Sequence, residues 1–404
     1  MTAPVRVRFN PFGAEFRRDP YPLYRRLRDA EPVHRALGMW VLTRHSDVRD
    51  VLRDREYSAG LIPTQVERRV DPGTRIVRLG RASLVFTDNP EHARLRGLVN
   101  RAFTAAAVAD LRPVVERVAD GLLACAYDRG SPDAVADLAD PLPVTVLCEW
   151  MALPAAVAGR VAAWTHDIRF LLEPGLMKVD DVARVTQVVD EFVLALQDVI
   201  TDRRARPGGD LISRLAAAET GGGDRLTDEE VAFVAIMSFV AGHETTTSLI
   251  GNALLALLRH PDQAALLRAR PELADSAVRE ALRYDSPLQM TKRLATRDGE
   301  IGGREIRAGD QLLLCLGAAN RDPAVFVDPD TFDITRDATG HLALGDGLHG
   351  CLGGQLARLQ GHVVLDRLAR HPRPLRLRDE PLEWQGHSQI VRGLTRLPVA
   401  WGRA

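Results

Sequence analysis

The chain has 404 residues, 46% of them apolar and 26% charged, an ordinary globular balance with ample material for a core. Its formal net charge of −1 gives no global attraction to nucleic acid or to an anionic membrane, so neither is an expected partner. Cys125, Cys148, Cys315 and Cys351 stand apart without CxxC spacing, which argues against a disulfide framework or a zinc site and for a reducing cytoplasm.

The N-terminal stretch MTAPVRVRFNPFGAEFRRDP lacks the apolar run of a signal peptide or anchor, and no uncharged apolar stretch reaches the ~18 residues of a membrane span. YPLYRRLRDAEP predicts a short amphipathic helix, and MWVLTRHSDVRDVLRD a strand running into a helix. Residues 59–86 mix charge, Gly and Pro without periodicity and read as a long loop, of the kind that is usually functional or disordered. From about 90 to 217 helix follows helix, with RARPGGD and AAETGGGD as flexible connections. The clearest helix starts at LTDEEVAFVAIMSFV, where Thr227 and Glu230 form a capping box, and stops at His260-Pro261. At 1.5 Å per residue, the run from Asp228 to Arg259 is about 48 Å long, enough to cross the protein. ELADSAVREALRYDSP predicts another helix, and IGGREIRAGDQLLLCLG short strands. The fold class is mainly α with small β-sheets. Length alone leans towards more than one domain, but no shift of composition demands a boundary, so 1–404 reads as a single domain. Its strands are expected in an N-terminal lobe and around 295–317 and 380–400.

Four stretches could carry chemistry. In LGDGLHGCLGG, Cys351 lies among glycines at the start of a segment whose Leu352, Leu356, Leu359 and Val363 recur at helical spacing. An isolated cysteine is most often a small core hydrophobe. Here the permissive backbone and the helix N-terminus favour a thiolate able to act as nucleophile or metal ligand. The long helix is interrupted by AGHETTTS, where Ala241 and Gly242 remove bulk before Glu244 and Thr245. A flat ligand could lie there beside an acid and an alcohol, and the hydroxyl residues could bend the helix. EALR, Glu280 to Arg283, is an i,i+3 pair, weak by itself. His92 and Arg96 in DNPEHARLRG would share a helix face begun by Pro90; a solvated basic face is the ordinary alternative.

Together these stretches resemble the cytochrome P-450 family of haem-thiolate monooxygenases, in its soluble bacterial form. LGDGLHGCLGGQLAR is similar to the cysteine-ligand loop, AGHETT to the oxygen-activating helix and EALR to the Glu-x-x-Arg motif. ANRDPAVFVDPDTFDITR resembles the segment that brings a further arginine, Arg336, to that pair. PEHARLR and TKRLA resemble the stretches that hold the haem propionates. The resemblance implies a long central helix over haem b (iron protoporphyrin IX), with a cysteine loop on the other face and Cys351 as the metal ligand. It puts His92, Arg96, Arg293 and His349 at the propionates, with Ala241, Leu344, Gly345 and Gly353 against the cofactor. Glu244 and Thr245 would relay protons, and Glu280, Arg283 and Arg336 would be structural. The family usually carries an aromatic at the position of Leu344; leucine excludes water but cannot stack. Electrons are expected from NAD(P)H through a ferredoxin and its reductase, docking near Arg101 and Arg358, with the enzyme a monomer. The small-molecule substrate is expected to be medium or large and largely apolar, plausibly in secondary metabolism. Its contacts would come from residues 59–86, Asp167 to Met177, Ile236, Met237, Val240, Leu288 to Thr291 and Gln385 to Val391. The same resemblance leaves open oxidative coupling, desaturation, peroxide-driven oxidation, or a non-catalytic haem sensor or carrier.

Overall fold

The computed structural model describes residues 7–130 and 132–402; positions 1–6 of the N-terminal stretch read above lie outside that range. The long helix runs from Asp228 to Arg259 over 32 residues. Thr227 Oγ1 accepts the Glu230 N–H, and the Glu230 carboxylate accepts the Thr227 N–H, so two otherwise orphaned donors are satisfied reciprocally. Asp228, Glu229 and Glu230 complement the positive end of the helix. Pro261 opens the next helix and cannot continue this one. The helix passes unbroken through AGHETTTS, with the Thr245 hydroxyl donating to the Ala241 carbonyl one turn back.

The long helix is buried along most of its length and packs against helices Pro141–Trp150, Val179–Ala205, Ala274–Tyr284 and Gly354–Arg370. These form the main apolar core. Beside it lies a five-stranded sheet in the order Val33–Ala36, Met39–Leu42, Gln311–Cys315, Met290–Ala295 and Tyr57–Ser58. Met39–Leu42 pairs in parallel with Gln311–Cys315, setting Trp40 opposite Leu312. Two smaller apolar clusters fill the two faces of this sheet. Glu383–Trp384 with Leu394–Arg396, and Leu375–Leu377 with Val399–Trp401, add two-stranded pieces near the C-terminus.

Residues 59–86 are not one long loop. They contain helices Leu61–Glu67 and Arg75–Arg81, whose Val66, Ile76, Val77 and Leu79 turn into the main core. Each is only seven residues long, too short to show a helical period among the intervening Gly and Pro. AAETGGGD is also more ordered than expected, since Glu219 and Arg225 pair across it as an antiparallel bridge. Among the described residues, no helix is long and apolar enough to cross a membrane.

Candidate functional site

A cavity of about 350 Å³ lies between the long helix and the LGDGLHGCLGG loop. The loop turns tightly because Gly345 and Gly347 adopt φ of +70° and +65°. At Gly347 a Cβ would stand 2.7 Å from the Leu52 carbonyl oxygen, so the backbone approach leaves no room for a side chain. The Cys351 N–H donates to the Leu344 carbonyl at 2.8 Å, and Arg96 donates to the Gly350 carbonyl at 3.0 Å. Cys351 opens onto the cavity, three residues before helix Gly354–Arg370 begins. Burial in the protein pushes its thiol pKa up. The N–H groups of Gly353 and Gly354, with Arg96 and Arg358, oppose that shift without overcoming it. The helix-end preference for thiolate expected from the sequence is thus present, and a metal cation at the cavity-facing sulfur would strengthen it.

The facing wall follows the helical period. Val234, Met237, Ser238, Ala241, Gly242 and Thr245 line it at spacings of three and four residues. Ile236 and Val240, expected at the same surface, are buried on other faces of the helix. Glu244 is also absent from the lining. Its Oε1 lies 3.0 Å from His387 Nε2 and 3.8 Å from Arg169 Nε, turned towards the C-terminal turn rather than the cavity. Neither partner was signalled by the sequence, because they stand 143 residues after and 75 residues before Glu244 with no shared motif.

At the cavity edge four basic groups converge. The His92 and His349 rings are 4.5 Å apart between centroids. Both His92 ring nitrogens are buried without a hydrogen-bond partner, and burial followed by Arg96 pushes its pKa down. Burial and then Arg293 push His349 down to about 4, while its Nδ1 sits 3.2 Å from the Leu84 carbonyl. Burial lowers Arg293 to about 10. Buried basic groups with unmet donors form a preformed anion site, and a carboxylate among them would raise their lowered proton affinities. His92 and Arg96 thus face inward, in helix Glu91–Ala102, and are not a solvated pair.

The cytochrome P450 family model matches residues 161–373, more than half of the chain. The vitamin D(3) 25-hydroxylase of Pseudonocardia autotrophica is 39% identical over 401 residues, covering 97% of this chain and 96% of that protein. The cytochrome P450 monooxygenase PikC of Streptomyces venezuelae is 37% identical, covering 97% and 93%. The solved structure of CalO2 matches with a TM-score of 0.92 at 38% identity, covering 98% of this chain and 99% of that one. This chain belongs to the cytochrome P450 family.

The cytochrome P450 is accordingly a monooxygenase with haem, iron protoporphyrin IX held through a cysteine thiolate, as its cofactor. The residues present fit that group. Of the four cysteines only Cys351 lines the cavity; Cys148 and Cys315 are buried elsewhere, and Cys125 is on the outer surface. The orphaned nitrogens of His92 and the convergent Arg96, Arg293 and His349 supply partners for two carboxylates. Ala241, Leu344, Gly345 and Gly353 line the space between, and Leu344 Cδ1 lies 3.1 Å from where a Cβ on Gly354 would be.

The Glu-x-x-Arg pair is fully buried. Arg283 Nε and Nη2 donate to the Glu280 carboxylate at 2.7 and 2.8 Å, and its remaining N–H groups reach the carbonyls of Asn320, Pro329 and Thr331. Arg336 Nε donates to the same carboxylate at 3.2 Å. Of the expected substrate segments, Ala59, Leu61, Leu172, Met237, Leu288, Met290, Thr291 and Ile390 do line the cavity. Gln385, Ser388, Gln389 and Val391 instead line a small cleft beside Phe16 and Trp384.

Proposed function

We propose that this cytochrome P450 oxygenates a medium or large, largely apolar small molecule, with Cys351 as the thiolate ligand of its haem and Thr245 as the group that hands on protons. The observation that carries the reading is that Cys351 and Thr245 line one apolar cavity from opposite walls, with basic groups gathered at its edge. Haem supplies an oxygen-activating iron there, and a thiolate ligand lends it electron density that favours O–O cleavage. His92, Arg96, Arg293 and His349 hold the propionates, which would otherwise be costly buried charges. Leu344 and the loop glycines exclude water from the sulfur side.

The Thr245 hydroxyl donates to the Ala241 carbonyl at 2.5 Å, which leaves its oxygen lone pairs towards the cavity. Glu244 receives protons from His387, whose ring is 30% exposed and can exchange with water. Rotation of the Glu244 side chain then brings the proton to Thr245. Electrons come from NAD(P)H through a ferredoxin and its reductase, the ferredoxin docking near Arg101, which is exposed, and Arg358, which is half-buried. The whole chain, 1–404, works as a single domain and as a monomer in the cytoplasm. Hydroxylation or epoxidation in secondary metabolism fits the apolar lining, and the relatives include a 6-deoxyerythronolide B hydroxylase and the polyketide biosynthesis cytochrome P450 PksS.

Ligation by Cys351 is tested with Cys351→Ser. The reduced carbon monoxide complex should lose its thiolate-type Soret band. A surviving band would move the ligand to another cysteine.

A further inference from the structure

Charge in the cavity is one-sided. Its lining contains three permanent cations, Arg96, Lys292 and Arg293, and not one Asp or Glu. On the haem placement proposed above, on which this inference rests, the two propionates match the two arginines. That leaves the ammonium of Lys292 over.

Lys292 is held where it is by the sheet. It sits mid-strand in Met290–Ala295, opposite Leu313, and its carbonyl accepts Arg293 Nη1 at 2.7 Å. The residue is half-buried and lines the cavity with Met290 and Ile390. Glu173 is the carboxylate whose field reaches it. No ion pair joins the two among the described residues; the Glu173 oxygens accept the Ser388 hydroxyl and the Gln389 N–H. A half-buried ammonium with no ion pair gains a charge-assisted hydrogen bond when an anionic ligand group reaches it. We infer that the substrate carries a single negative charge, a carboxylate in the simplest case, held by Lys292 while its apolar body lies along Met237, Ala241 and Thr245. Lysine suits that task as a point charge on a flexible stem, reaching one oxygen without demanding the paired geometry of a guanidinium.

The test compares octanoate, dodecanoate and hexadecanoate, each beside its methyl ester. Binding to the holoprotein is followed by calorimetry and by the haem spin-state shift. The wild-type protein should bind at least one carboxylate about tenfold or more tightly than its ester. Lys292→Met should remove the preference while leaving ester binding unchanged, and Lys292→Arg should restore most of it. If no carboxylate outbinds its ester, or if Lys292→Met keeps the preference, the inference is overturned. Calorimetry reads binding without turnover, so that result would leave the monooxygenase reading standing. Failure of the Cys351 test would instead strike the reading itself.

Discussion

The Thr245 side chain is occupied at rest, since its hydroxyl donates to the carbonyl one turn back and so has a fixed direction. Thr245→Ala removes the relay and keeps the helix, because alanine is the better helix former. Substrate binding should change little, while product per NAD(P)H falls and hydrogen peroxide rises. Loss of one hydrogen bond of roughly 1–3 kcal/mol at the transition state corresponds to about 5- to 150-fold in the productive step. Coupling efficiency with a ferredoxin system measures this, and wild-type coupling would remove Thr245 from the role. At this scale the sequence was informative where a residue belongs to a local pattern. Cys351 announces itself by its glycines, Thr227 by the glutamate three residues later. Lys292 and His387 lie in stretches singled out for other roles, and their own pairing had no signal, because what matters about them is an absent carboxylate in one case and a distant one in the other.

Among the elements, helix Ala274–Tyr284 is pinned by several guanidiniums, of which Arg283 makes the most bonds. Arg283 uses all five of its N–H donors, two on Glu280 and three on carbonyls of the segment 320–331. Lysine offers three donors in another geometry. Arg283→Lys therefore leaves at least two of these five buried contacts unmade and should cost about 3–5 kcal/mol. Arg336→Lys, at a side chain 14% exposed, should cost about 1–2 kcal/mol, since water can replace the lost contacts. Urea unfolding of both variants, with haem retention followed in parallel, gives the order; equal losses would show that the pair is not the anchor. Element by element, the long helix was legible to the residue because its cap, its length and its terminating proline agree. Helices Leu61–Glu67 and Arg75–Arg81 were not, since tertiary burial of a few apolar residues holds them and no repeat reveals it.

For the whole molecule the pH range of stability has an identifiable contributor. Burial, then Arg358, Arg283 and Arg279, push His341 down to about 4 from an ordinary 6.5. Between those values the unfolded chain binds a proton that the folded protein refuses. The contribution is thus complete above about pH 6.5 and is lost as the pH falls towards 4. Nδ1 of His341 accepts the Ala343 N–H at 3.3 Å, which only the neutral ring can do. His341→Gln keeps an acceptor and cannot charge, so its stability should fall less than that of the wild type between pH 6.5 and 4. Denaturant midpoints across that interval measure the difference, and parallel curves would dismiss His341 as a cause.

The parallel pairing of Trp40 with Leu312 also imposes an order of events on the ribosome. The two residues are 272 positions apart (312 − 40), so at 5–20 residues per second the first strand waits roughly 14–54 s for its partner. Throughout that interval Val33–Ala36 and Met39–Leu42 can form only a hairpin, with Trp40, Val41 and Leu42 presenting an unpaired edge. Lys292 and Arg293 take up fixed places only when the same sheet closes, as its inner strand is bounded by the strand that arrives with Leu312. The early strand Met39–Leu42 and the charged wall of the cavity therefore mature together, late in synthesis.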